Sequence, residues 1–396
     1  MSVKMSSRER MLAALNCRQP DHVPLSFMLF NGLKTISNSY LDFIQRQIDL
    51  GLDVFVELPA RPPVVVNDYY NLHGIPVSYH PSVAIKEWNE WFPDEDDPIM
   101  VKEYATPAGI LRTEVRQTDD WRWGDHVPFL DDYLVPRSRK FLIDDEDDLE
   151  AFSYLLIGPS PDEISQFHRE SDPVIALAKE RDLLLAGGWG VGADLIGWVY
   201  GLQRMLFAVY DKPEFIKRLL GIIADWNRAR MEVVLEAGID LYIKRAWYEN
   251  CDFWTPNAYR EFLCPILKKD IELAHERGAR FGYFISSNAM PLLQEFVELG
   301  IDVVIGVDPM TWDLKTTKQA LGGKVCIWGG VNGHLTVEQG SEDQIRKEVQ
   351  SAIQQLGPGG GFILSPVDNV REYSNKIQKN VGILIDEWQQ IELPSR

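Results

Sequence analysis

The chain has 396 residues, 45% apolar and 25% charged, a balance that fits a globular protein with a large core. Its net charge of −19 argues against nucleic acid, whose phosphates need a basic footprint, and against polyanionic substrates unless a local basic pocket exists. No apolar run reaches the about 18 residues of a membrane span. The N-terminus lacks a secretory apolar segment, and Cys17, Cys251, Cys264 and Cys326 form no CxxC pair; the cytoplasm is therefore expected, with neither a disulfide framework nor a zinc ribbon.

In chain order, Ser6-Ser-Arg-Glu9 is a capping box before an apolar stripe at Met11, Leu12 and Leu15. Leu25 to Phe30 reads as a buried strand, a helix follows at about 38–50, and Val54 to Leu58 is a second strand. Residues 60–135 then change character. Short alternating pieces at 64–66, 87–91, 101–104 and 109–116 predict antiparallel hairpins. Helices are expected at about 145–153 and 160–179.

From Leu183 a strand–helix rhythm returns. Strands are predicted near 183, 241, 281, 303, 325 and 361, with helices at about 194–237, 256–277, 338–356 and 373–390. The runs from Phe281, Val303 and Val325 are spaced 22 residues apart. Eight strands alternating with helices predict a TIM (β/α)8 barrel, a single domain over 1–396 with an insertion at about 60–180; an open doubly wound sheet is the alternative. Gly187-Gly-Trp-Gly-Val-Gly192 is glycine-rich, but Trp189 stands where a phosphate loop needs open backbone, so tight turns at a strand end are expected there.

Several segments carry a family resemblance: Ser7-Arg-Glu-Arg-Met-Leu-Ala-Ala-Leu15 with Gln19-Pro-Asp-His-Val-Pro24, Thr106-Pro-Ala-Gly-Ile-Leu111, Tyr210-Asp-Lys-Pro213, Gly300-Ile-Asp302, Gly329-Gly-Val331 and Gly359-Gly-Gly-Phe-Ile-Leu-Ser-Pro366. Over nearly the whole chain the sequence resembles the uroporphyrinogen decarboxylase-like superfamily, and the Thr106 hairpin resembles its methyltransferase branch. The resemblance implies a TIM barrel and one of two chemistries. One is metal-free decarboxylation of uroporphyrinogen; the other is methyl transfer to or from a corrinoid, often with zinc.

Both branches meet departures. The decarboxylases carry a basic loop after their first strand, whereas Phe27 to Lys34 contains no Arg; Lys34, Lys244, Arg245 and Arg371 are the cations left near strand ends. Zinc-dependent relatives end the fifth strand in H-x-C-G-N and place a Cys after the last strand. Here Phe284, Ser286, Ser287 and Asn288 take those positions and Asp368 stands near the last. A thiolate zinc site is not expected by that route, although Glu249 with Cys251 offers two ligand types.

What remains is a predicted mouth rich in aromatics: Phe30, Trp189, Trp247, Tyr248, Tyr283, Phe284, Trp312 and Trp328. Each equally fits core packing; together they suggest a planar, apolar substrate or a corrinoid face. Glu57, Glu249, Asp308 and Asp368 are the acids near strand ends. Glu249 and Asp308 are favoured as catalytic proton donor or orienting group, because a carboxyl among aromatics is raised by desolvation. For Asp308-Pro309 a turn cap is an equal reading. Ser286, Ser287 and Asn288, with Asn31, are polar groups for a substrate oxygen, or caps of the following helices. His334 is a further titratable group.

The resemblance thus implies a methyltransferase taking a methyl group from a small methylated compound, a methoxyaromatic by expectation, to a corrinoid (cobalamin) carried by a partner protein. A decarboxylase and a non-catalytic small-molecule-binding barrel are the alternatives. Barrels of the family commonly pair, so a homodimer is an expectation.

Overall fold

The computed structural model describes residues 4–58 and 78–391. Its first strand, β1 (Phe55–Leu58), is followed by a four-stranded antiparallel sheet of β2 (Ala84–Glu90), β3 (Ile99–Thr106), β4 (Gly109–Arg116) and β5 (Ser138–Lys140). Then come β6 (Leu184–Gly190), β7 (Leu241–Ala246), β8 (Arg280–Ile285), β9 (Val303–Val307), β10 (Cys326–Asn332) and β11 (Phe362–Val367), which with β1 form one parallel seven-stranded sheet in chain order. Strand β4 coincides with the hairpin arm expected at 109–116; the piece expected at 64–66 lies outside the described residues.

The parallel sheet curls on itself in a TIM-like α/β form. One face of each strand points into the curl: Leu184 and Ala186, Leu241 and Ile243, Val303 and Ile305 join one interior cluster, and there the Phe55 ring of β1 meets the Trp328 ring of β10 edge-on at 5.4 Å. The alternate residues Leu185, Tyr242 and Val304 face the helices. This period-two division explains why both faces of every central strand are apolar.

The stretch expected as the first strand is less regular than a strand. Leu25 and Leu29 make isolated parallel bridges to Leu364 and Asn369, Ser26 N donates to Leu364 O at 3.0 Å, and Asp53 N donates to Leu25 O at 2.8 Å. Pro24 has no N–H for a ladder, and Leu25 N is taken by the Asp53 carboxylate at 3.2 Å, so pairing toward β1 runs through one backbone bond and one side chain of Asp53 rather than a strand register. Beneath, the helix Ser7–Leu15, begun by the Ser6 capping box, inserts Met11, Ala14 and Leu15 into the interior cluster. The region expected as one helix over 194–237 is three helices, Asp194–Val199, Leu202–Asp211 and Pro213–Glu236, because Gly201 takes a positive φ of 91° and Pro213 starts the last. The helix expected from Pro256 contains a π-helical turn, Tyr259–Leu263, just before Pro265, which has no N–H to give.

Two irregularities aim side chains at the C-terminal end. In β6, Gly188 pairs with Ile243 and Gly190 with Lys244, so Trp189 is an extra residue; its φ of 52° turns the indole into the curl. In β9, Trp328 pairs with Ile305 but Gly329 with Val307, which leaves Gly306 as a bulge with φ 99°. Val303 and Ile305 point inward, yet Val307 points to the helices. The bulge has reversed the alternation, and Asp308 therefore faces inward. A Cβ on Gly306 would lie 2.5 Å from the Ile285 carbonyl oxygen. Gly306→Ala is expected to cost about 1–3 kcal/mol of stability in urea unfolding, through this contact and the strained φ, and to weaken binding of any ligand that uses Asp308.

Candidate active site

At the C-terminal ends of β7, β8, β9 and β11 lies a cavity of about 470 Å³. The loop after β7 contributes Trp247, Tyr248, Asn250, Asp252 and Phe253; the end of β8 contributes Phe284, Ser286 and Ser287. Gly306, Asp308 and Thr311 follow from β9, and Val367 and Asp368 from β11. The C-terminal end of a curled parallel sheet is where separate loops converge, so this is the expected position for a site.

The β7 wall is held by a buried arginine. Arg245, 2% exposed, donates through Nη2 to both Asp132 oxygens at 2.7 Å and lies 3.3 Å from Asp194 through Nε. Its guanidinium centre sits 4.0 Å from the Trp247 ring centroid and 4.7 Å from that of Trp198. Asp194 accepts from the backbone N–H groups of Trp247 and Tyr248 at 3.1 and 2.7 Å. Asp132, from the segment joining β4 to β5, also accepts from the Tyr248 hydroxyl at 2.8 Å and the Trp198 indole at 3.0 Å. One charge cluster thus fixes both aromatic residues and docks the inserted region on the mouth.

Three carboxylates line the cavity. Asp308 accepts from Met310 N at 2.9 Å and from Asn332 Nδ2 at 2.8 Å. Burial pushes its carboxyl above the ordinary range, and the nearby Asp368 charge pushes the same way. Asp252 and Asp368 are exposed at the rim. Among the described residues, none of the three is in an ion pair, and no Lys, Arg or His lines the cavity.

The other sequence candidates lie elsewhere. Glu249, 1% exposed, is on the helix side of the sheet, where it accepts from Ala193 N at 2.8 Å and from the Tyr283 hydroxyl at 2.5 Å. Tyr283 also accepts from Tyr259 at 3.1 Å and packs toward the helices. This pair braces the backbone behind the mouth and does not line the cavity, because Tyr283 alternates with the inward-facing Phe284 along β8. Glu57 accepts the Trp189 indole N–H at 2.5 Å, and burial raises its carboxyl. The Trp189 ring continues from that pair to Phe284, with centroids 5.5 Å apart. Trp328 is deep in the curl, donating to Ser26 O at 3.0 Å, below the mouth rather than at it. Phe30 packs against Phe27 and Tyr373, Asn31 bonds Asn369 through its backbone, and Asn288 is exposed with its carbonyl accepting from Cys251 N. Trp312 is buried, and His334 pairs with Glu338 at 2.7 Å. Ser286 lines the cavity and donates to Trp247 O at 3.3 Å.

The four cations considered from sequence are all engaged away from the lining. Lys244 pairs with the buried Asp270 at 3.0 Å, Arg245 with Asp132 and Asp194, Arg371 with Glu338 at 3.4 Å, and Lys34 lies 5.9 Å over Tyr40. Cys251 has its thiol pushed up to about 11, first by burial and then by Asp252 and Glu295, so it stays protonated at neutral pH. Among the described residues no group of three or more His, Cys, Asp or Glu is placed to hold a metal. Sequence reasoning missed Asp132, Asp194, Asp252 and Phe253. Asp194 left a signal, a lone acid directly after a wholly apolar strand; Asp132, in an acidic pair of the insertion, left none.

Removing one member of a buried ion pair strands the other. Arg245→Met is expected to lower stability by about 3–5 kcal/mol in urea unfolding and to disorder the near-ultraviolet signal of Trp247. Asp194 gives a pH signature. Burial raises its carboxyl to about 6, opposed by Arg245 and reinforced by Glu249 and Asp132, against roughly 3.9 unfolded. The folded state then binds the extra proton between those values, so stability falls as pH rises from about 4 to about 6. Urea midpoints across that window should decline in the parent protein relative to Asp194→Asn.

A family model described as Uroporphyrinogen decarboxylase (URO-D) matches residues 135–368. Among solved structures, a methyltransferase from Methanosarcina mazei is 18% identical with a TM-score of 0.59, covering 98% of this chain and 99% of that one. A B12-independent methionine synthase from Shewanella sp. W3-18-1, in complex with selenomethionine, is 11% identical with a TM-score of 0.49, covering 93% and 96%. The first likeness establishes a shared fold over the full length of both chains. No curated protein sequence matches the chain.

Proposed function

The chain belongs to the uroporphyrinogen decarboxylase family, and we propose that within it this protein is a methyltransferase that moves a methyl group from a small methylated compound to a corrinoid carried by a partner protein. The carrying observation is the lining of the mouth cavity: among the described residues it has aromatic walls from Trp247, Tyr248, Phe253 and Phe284, three carboxylates, and no cationic side chain. A tetrapyrrole bearing eight carboxylates needs cationic donors where this cavity presents Asp252, Asp308 and Asp368. A small methylated compound needs apolar walls and a few polar groups, which are present. The full-length fold likeness to a structure named as a methyltransferase agrees with this reading. On the same reading the segment 24–30 takes the eighth place of a (β/α)8 barrel, elaborated by the inserted antiparallel sheet.

The corrinoid, when its carrier docks, supplies the nucleophile for the methyl carbon. The carrier would approach from the open side of the cavity, and Met310, whose N–H bonds the lining Asp308, leaves an exposed apolar side chain next to it. The chain's own residues hold the donor. Trp247 and Phe284, edge to face at 5.8 Å, exclude water from the apolar part of the donor. With an ether donor such as a methoxyaromatic, the carbon–oxygen bond breaks with its electron pair on oxygen. Asp308, whose carboxyl lies in the cavity lining, would be the acid that delivers a proton there. Glu249, expected as a second catalytic acid, instead positions the loop at Ala193.

The test mixes the protein with a corrinoid protein reduced to cob(I)alamin and a panel of methoxyaromatics, methylated amines and methylated thiols, following the absorbance of the methylated corrinoid. At least one donor class should methylate it, and Asp308→Asn should slow an ether donor by roughly 10²–10⁴. Ligand binding with no methylation across the panel would leave a non-catalytic binding barrel. Coproporphyrinogen formed from uroporphyrinogen would instead establish decarboxylation.

A further inference from the structure

We propose that the methyl donor accepted at this mouth is a small organic cation, an N-methylated ammonium or an S-methylated sulfonium, held between the aromatic walls and the three lining carboxylates. This rests on the methyl-transfer reading and names its donor class.

When a donor fills the cavity it strips water from Asp308 and from the inner sides of Asp252 and Asp368. A neutral ether offers those carboxylates nothing in return, and an anion adds repulsion. A monocation offsets the desolvation of the group it sits beside. Among the described residues no cation of the chain does this: Arg245 is spent on Asp132 and Asp194, and Arg371 on Glu338.

Indole and phenol faces attract cations through the ring quadrupole. The molecule already uses these rings that way, with the Arg245 guanidinium centre 4.0 Å from the Trp247 centroid and 5.9 Å from that of Tyr248. Phe253 and Phe284 extend the same surface along the cavity, and Tyr248 stands edge-on to Phe253 at 5.5 Å. Aromatic walls closed by carboxylates, with no competing cation among the described lining residues, make a receptor for an onium centre rather than for a carboxylate or phosphate.

When a methyl group leaves a tetravalent nitrogen or a sulfonium sulfur, the carbon–heteroatom bond breaks with its pair on nitrogen or sulfur. The product departs as a neutral amine or thioether and needs no proton. The new bond to carbon is made by the electron pair of the reduced corrinoid named above. Among the described residues the lining holds one half-buried acid, and this chemistry asks no proton of it. For a secondary or tertiary amine, the carboxylates would keep the nitrogen protonated, which is the form able to leave.

The experiment uses the full chain without any corrinoid. Tryptophan fluorescence is titrated with phenyltrimethylammonium and with methoxybenzene, a neutral methyl donor of similar width. The cation is expected to bind about tenfold more tightly. Asp308→Asn, and separately the rim variants Asp252→Asn and Asp368→Asn, should each weaken the cation by about threefold to fivefold, and the two rim variants should leave methoxybenzene binding unchanged. The rim variants keep the test decisive if Asp308→Asn disturbs the Met310 turn. Equal or tighter binding of methoxybenzene, or indifference of cation binding to all three substitutions, overturns the proposal. A second arm adds the corrinoid protein. Cation preference without methylation would sink the transfer reading and keep the cation site. Methylation from methoxybenzene but not from phenyltrimethylammonium would sink the cation site and keep transfer.

Discussion

Arg245 is the charge around which the mouth is arranged. A buried guanidinium is tolerated when its neighbours supply opposite charge and hydrogen bonds, and here the two carboxylates that do so come from distant parts of the chain. Asp194 arrives on the loop after β6 and Asp132 from the inserted region. Each acid has other obligations: Asp194 holds two backbone N–H groups of the β7 loop, and Asp132 holds a phenol and an indole. Satisfying one cation therefore sets the positions of Trp198, Trp247 and Tyr248 together. The inserted antiparallel sheet is accordingly part of the site's support.

The two bulges act on the other walls by a different mechanism. A strand alternates strictly, so an inward residue near its end can be chosen only by spending an extra residue. Positive φ at Trp189 and Gly306 does this in β6 and β9. The result is an indole bonded to Glu57 on one side and a carboxylate bonded to Asn332 on the other. Non-glycine φ near 52° is costly, and its occurrence at the mouth fits a site where local strain is held by surrounding packing.

Family membership and chemistry are separate conclusions. The family follows from the matched segment of the chain, whereas the choice of reaction follows from the lining. A curled sheet of this kind supports many reactions, and what distinguishes them is the charge and shape at the strand ends. Three carboxylates that form no ion pair among the described residues, set among four aromatic rings, give this mouth a polarity opposite to that needed by a polycarboxylate, with the same scaffold beneath.

By itself the sequence determined the alternation of apolar strands and amphipathic helices, the hairpin character of the region before residue 140, the capping box at Ser6, and the membership of Trp247, Tyr248, Phe284, Ser286, Asp308 and Asp368 among residues near strand ends. These are local properties, written in periodicity and turn chemistry. It could not decide which face each side chain takes or how deep in the curl it lies, and so it placed Tyr283 and Trp328 at the mouth and Glu249 beside the substrate. Nor could it show that Asp132 and Asp194 converge on Arg245, because residues 113 and 51 positions away from that arginine in sequence meet it only when the sheet curls and the insertion docks. The tertiary structure decided the sign of the site for the same reason: whether a carboxylate is paired depends on which cations fold next to it, and here they fold next to others.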